Sequence, residues 1–137
     1  MLFRSAWRAW SGFAFENVCH RHLLEIKREL GIAAVDTQHA CWLHQSRDKS
    51  DVGAQVDLLI DRRDDVINLC EIKYADAPFV IDQRYARELR QKIDVFRRIS
   101  GTRKSVQLTM ITTFGVQKNQ YATELVDSEV ILDGLFR

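Results

Sequence analysis

Proline occurs once in the 137 residues, as Pro78, and glycine only six times. The chain therefore has no Pro/Gly-rich linker, collagen-like register or low-complexity stretch to divide it. The three cysteines, Cys19, Cys41 and Cys70, are widely spaced and form no C-x-x-C pair, which argues against a disulfide framework or a zinc knuckle. No run of about 18 apolar residues provides a membrane span, and MLFRSAWRAW lacks the uninterrupted apolar core of a signal peptide. The expectation is a soluble, cytoplasmic protein in a reducing compartment with no membrane partner. Charge of one sign is also missing: 20 Lys and Arg face 19 Asp and Glu, a net +1, so a nucleic-acid partner would have to be met by a local patch.

What is present is the composition of an ordinary folded domain, 46% hydrophobic and 28% charged. A length of 137 residues fits one domain spanning 1–137, with residues 1–10 a linker or docking segment. Trp7 and Trp10 fit two readings there, an apolar patch for a neighbouring domain or packing on the chain's own core.

Phe15, Val18, Cys19, Leu23, Ile26 and Leu30 recur at helical spacing, and Gly31 stands where a helix stops, so the period predicts a helix from Ser11 to Leu30. One short strand is expected within Ala33 to Asp36 or Cys41 to Leu43. Gln55 to Ile60 and Val66 to Tyr74 read as a hairpin joined by the charged turn at 61–65. The helical period returns from Ile81 to Ile99 and ends at Ser100-Gly101; Val106 to Thr113 follows as a half-buried or central strand. A short helix or loop at 120–126 and an apolar stretch at Val130 to Leu132 complete the order. The hairpin is antiparallel and the long helix permits a parallel crossover, so an α/β domain with a mixed sheet is expected.

Asp57 in GAQVDLLID and the pair Glu71 and Lys73 in CEIKYA stand out. Residues two apart on a strand share a face, so Glu71 and Lys73 point together in an otherwise apolar strand. If Asp57 faces the same way, two carboxylates and an ammonium converge. Such a group suits a hard divalent cation and the hydrolysis of a phosphate ester. An edge charge at Asp57 and a solvated or mutually paired Glu71 and Lys73 account for the same residues without chemistry.

On the second long helix, Lys92 falls in the middle of the face formed by Ile81, Tyr85, Leu89, Phe96 and Ile99. It either snorkels to the rim or reaches the acidic patch and a phosphate. From Arg84 to Lys104 eight basic residues stand against Glu88 and Asp94. Arg84, Arg87, Arg90, Arg97, Arg98, Arg103 and Lys104 thus form a candidate nucleic-acid surface; a solvated face, or one docked on an acidic partner, is the other reading. The histidines have no zinc-site spacing, and Gly101-Thr102-Arg103-Lys104-Ser105 lacks the phosphate-loop pattern.

The acid before the hairpin, the E-x-K on its second strand, a leading helix with Glu16 and a following long helix together resemble the PD-(D/E)XK nuclease superfamily. More narrowly, AWSGFAFE, GAQVDLLIDR, INLCEIKY, FVIDQRYARELRQKIDVF, TRKS, LTMITTFGVQKNQY and ILDGLF are similar to the C-terminal domain of bacterial and archaeal AAA-type ATPases, from about Trp10 to Phe136. The resemblance implies a restriction-endonuclease-like core, a mixed sheet of four to five strands flanked by helices in the order α-β-β-β-α-β. It assigns Asp57 and Glu71 to the two acids, Lys73 to the catalytic lysine and Glu16 to a helical glutamate that completes a Mg²⁺ or Mn²⁺ site. A carboxylate in the first helical turn is the other reading of Glu16. Val56 stands where the superfamily motif has proline. The implied function is metal-dependent hydrolysis of DNA. The alternative is a non-catalytic interaction module joined to an ATPase domain on one polypeptide.

Overall fold

A computed structural model describes residues 2–136, with the side chains of residue 6 and residues 9–136. Helices α1 (Leu2–Arg21) and α2 (Leu23–Glu29) lead into strands β1 (Thr37–His44), β2 (Ala54–Arg62) and β3 (Val66–Lys73). Helix α3 (Gln83–Ser100), strand β4 (Ser105–Thr112), helix α4 (Gln120–Leu125), strand β5 (Ser128–Ile131) and a short 3-10 turn follow. The strands lie in the order β1-β2-β3-β4-β5. β1, β2 and β3 are antiparallel neighbours, whereas β3, β4 and β5 run parallel. The fold is α/β with a mixed five-stranded sheet flanked by helices.

Two apolar layers hold the sheet. Phe15, Cys19 and Ile26 of α1 and α2 pack with Leu58, Ile60, Cys70, Ile72 and Ile111. Ala86, Leu89 and Phe96 of α3 pack with Val56, Leu69, Val106 and Leu108 on the other face. α3 starts where the Asp82 carboxylate accepts the Tyr85 N–H at 2.8 Å and stops at Gly101, whose φ of 65° is left-handed.

The predicted hairpin, long helix and fourth strand stand as expected; three other elements differ. Helical backbone begins at Leu2, so the segment read as a linker or docking arm is part of α1, and the Trp7 side chain lies outside the described residues. The first helix is broken at His22, whose Nδ1–H donates to the Val18 carbonyl at 2.7 Å. Of the two candidates for the first strand, Cys41 to Leu43 lies within β1, whereas Ala33 to Asp36 is a turn. Lys27 donates to the Val35 carbonyl at 2.8 Å, and the Ile32 N–H to the Lys27 carbonyl at 2.8 Å, so these apolar residues plug the end of α2.

One irregularity positions the site. Ala40 pairs with Leu59 but Trp42 with Val56, so Asp57 and Leu58 together oppose Cys41. This β-bulge turns Val56 to the α3 face while Leu58 and Ile60 face α1 and α2, and it leaves Asp57 at the point where the faces exchange.

Candidate functional site

The β2–β3 ladder ends in its register at Leu58 opposite Cys70. Beyond it, the Asp57 Oδ2 accepts the Ile72 N–H at 3.0 Å, so a side chain takes the place of the strand backbone. The carboxylate is thereby fixed in the gap between the two strands, one pairing step from Glu71.

Glu71 lies on the α3 side of β3 and is 1% exposed. Its Oε1 accepts from Lys92 Nζ at 2.8 Å and from the Tyr85 hydroxyl at 3.2 Å. Its Oε2 is buried and has no hydrogen-bond partner. Burial pushes the Glu71 carboxyl above the usual range, Lys92 pulls it back down, and Asp57 adds to the upward push. The Lys73 ammonium sits 5.1 Å from the centroid of the Tyr85 ring. Phe79 buttresses that ring edge-on at 5.4 Å. Tyr85 therefore touches both charged residues of the E-x-K pair, through its hydroxyl and its face. Desolvation, with Glu71 as neighbour, holds its phenol protonated far above the usual range.

A buried, half-satisfied carboxylate is a poor device for stability, because apolar side chains of similar volume in place of such an ion pair are often neutral or stabilising. It is a suitable device for holding a cation or a proton. The orphaned Glu71 Oε2 and the Asp57 carboxylate fit a Mg²⁺ or Mn²⁺ ion, which commonly takes one or two protein carboxylates and fills its remaining positions with water and phosphate oxygens.

The expected third ligand is not drawn in. Among the described residues no three His, Cys, Asp or Glu side chains group to hold a metal ion. Glu16 rides on α1, across β3 from Glu71, and lies 3.9 Å from His20 Nε2. With Lys73 it lines a cleft of about 530 Å³ beside the 74–80 segment.

The basic stripe divides as well. Lys92 turns inward to Glu71, the acidic-patch alternative of the sequence reading. Lys104 is tied to Asp61 and to the Arg62 carbonyl, both at 2.7 Å, so it clamps the hairpin instead of extending the stripe. Arg84 pairs with Glu88 and Arg90 with Glu124. Arg87, Arg97, Arg98 and Arg103 stay exposed without an ion pair among the described residues. The arginines of α3 lie on its exposed face, away from the side on which Tyr85 and Lys92 meet Glu71.

The other reactive side chains have plain roles. Burial, reinforced by Glu16 and Asp57, pushes the Cys19 thiol up to about 12, and burial raises Cys70 further, so neither supplies a thiolate. His44 Nε2 meets the Asp51 carboxylate at 3.0 Å and pins the loop that follows β1.

No protein-family model matches the chain, and none of the curated proteins does so. Among solved structures it is similar to the crystal structure of a protein of unknown function, AF1548, with a TM-score of 0.53 and 16% identity. The likeness is one of fold. It extends over 82% of this chain and 55% of the other, so this chain spans about half the length of that neighbour. No described helix is long and apolar enough to cross a membrane.

Proposed function

We propose that the domain hydrolyses phosphodiester bonds in DNA with the help of a divalent cation. The observation that carries this reading is the buried Glu71 carboxylate, with one oxygen orphaned, beside Asp57, Lys73, Tyr85 and Lys92. Asp57 and Glu71 would hold Mg²⁺ or Mn²⁺. The bound cation would supply Lewis acidity toward a phosphate oxygen and lower the pKa of a water.

This chain's own residues do the rest. The Asp57 carboxylate is held by the Ile72 N–H, and Glu71 by Lys92 and Tyr85, so both are set in place before substrate arrives. Lys73, reaching from the Tyr85 ring, orients the attacking water and offsets the negative charge that develops on the phosphate. Arg87, Arg97, Arg98 and Arg103 contribute electrostatic attraction to the DNA backbone away from the reacting bond.

The test is cleavage of DNA by purified protein in Mg²⁺ or Mn²⁺. Cleavage that disappears in Asp57→Ala and Lys73→Ala supports the reading. Equal cleavage by Lys73→Ala removes it.

A second reading, a non-catalytic module of a AAA-type ATPase, is favoured by the way Lys92 and the Tyr85 ring already occupy Glu71 and Lys73. The absence of cleavage on any DNA, together with no metal binding by calorimetry, selects it.

A further inference from the structure

Both donors to Glu71 use the same oxygen. Lys92 Nζ at 2.8 Å and the Tyr85 hydroxyl at 3.2 Å meet Oε1, while Oε2 is buried without a partner. If Lys92 departs, Tyr85 still holds Oε1, so the carboxylate keeps its orientation. The exposures are unequal as well: the Glu71 side chain is 2% exposed and the Lys92 side chain 23%. The acid is fixed in the core, whereas the ammonium stands on a flexible stem that reaches water.

The charges decide which cation Glu71 keeps. Asp57 and Glu71 bring two negative charges, Lys73 and Lys92 two positive ones, so the group is neutral when all four are ionised. A divalent cation at Oε2 would share one carboxylate with the ammonium at Oε1, in surroundings where burial leaves little water to screen their repulsion. Departure of Lys92 relieves that repulsion. No unpaired acid waits one helical turn away on α3, because Glu88 before Lys92 pairs with Arg84, and Phe96 after it is buried in the core. A phosphate is therefore the fitting partner for the released ammonium.

We infer that Lys92 is a stand-in cation: it occupies Glu71 in the metal-free protein, leaves when a divalent cation binds Oε2, and then contacts a phosphate of the DNA strand. This rests on the metal-dependent reading above. The exchange accounts for an ion pair that leaves half of its carboxylate unsatisfied, an arrangement that stability alone does not favour.

The test is acylation of lysines by acetic anhydride, read residue by residue by mass spectrometry, on the wild type in EDTA and in saturating Mn²⁺, with Mn²⁺ binding followed by calorimetry. Lys92 is expected to react about fourfold faster in Mn²⁺, moving from 23% exposure toward full exposure. Lys104, tied to Asp61 and to the Arg62 carbonyl, is the internal control and should not change. DNA affinity tests the phosphate contact in a Lys73→Ala background, which is expected not to cleave. Adding Lys92→Met should weaken binding about tenfold more in Mn²⁺ than in EDTA, the loss of one charge-assisted contact. The labelling uses the wild type, so the proposal stays falsifiable even if a Lys92→Met protein fails to fold. Mn²⁺ binding with Lys92 still protected overturns the proposal and leaves the metal-dependent reading standing. An equal effect of Lys92→Met in EDTA and Mn²⁺ also overturns it. The absence of Mn²⁺ binding overturns both.

Discussion

Replacing Lys92 by methionine removes the ammonium 2.8 Å from Glu71 while keeping most of the apolar volume against α3's neighbours. Breaking a buried pair from one side costs about 3–5 kcal/mol. The Lys92 side chain keeps 23% of its exposure, so the lower end, about 3 kcal/mol, is the expected loss at pH 7. For a domain of this length that lowers the melting temperature by roughly 10 °C.

The loss should depend on pH in a defined sense. Burial raises the Glu71 carboxyl above its unfolded value, so between the two values the folded state holds the extra proton and stability falls as pH rises. Lys92 opposes that shift, and its removal extends the window upward. Below about pH 4, where an unfolded glutamate is itself protonated, the ionised carboxylate no longer contributes to the difference between variant and wild type. Urea titrations from pH 4 to 8 should therefore show the Lys92→Met deficit growing with pH. The double variant Lys92→Met/Glu71→Leu should recover most of the stability, because an apolar pair replaces an unpaired charge. A deficit that is flat in pH, or a double variant less stable than Lys92→Met, would refute the ion-pair reasoning.

Three further outcomes follow from the same geometry. Tyr85→Phe should lose about 1.5–3 kcal/mol for a hydrogen bond to a charged group while keeping the ring under Lys73, whereas Tyr85→Leu should also lose the upfield ring-current shift of the Lys73 ε-methylene protons in NMR spectra. Gly12→Ala should stabilise the protein by about 0.5–1 kcal/mol in thermal unfolding, since its methyl meets no neighbour; destabilisation would mean that α1 is packed differently there. Arg87→Ala/Arg98→Ala should weaken DNA binding alike across sequences and reduce the slope of log affinity against log salt by about 1 per lost contact. An unchanged slope would remove α3's outer face from the DNA surface.

The hairpin, α3 and β4 were legible in the sequence because their period, capping residues and stops agree locally: Asp82 caps α3, Gly101 closes it, and β4 alternates Val106, Leu108 and Met110 with Gln107, Thr109 and Ile111. The pairing of Glu71 and Lys73 on one face followed from strand alternation. The bulge at Asp57 did not, because it arises from a cross-strand register between β1 and β2 that neither strand encodes alone. Tyr85 read as core since its ring does lie on the apolar face; its polar role depends on which strand lies opposite. A signal was available, since Tyr85 and Lys92 are seven residues apart and share one face of α3. Glu16 stands at the edge of the apolar face of α1, but helical angle does not say on which side of β3 that helix packs. The arginine stripe was counted by composition, and only tertiary pairing separated Lys92 and Lys104 from the exposed arginines.

The most direct measurement of the proposed chemistry is anomalous diffraction from a crystal soaked in Mn²⁺. Density is expected at about 2 Å from Glu71 Oε2 and from an Asp57 oxygen, with Glu16 outside the coordination sphere. A soak that leaves Glu71 bound only to Lys92 and Tyr85, with no density between it and Asp57, would contradict the metal-dependent reading.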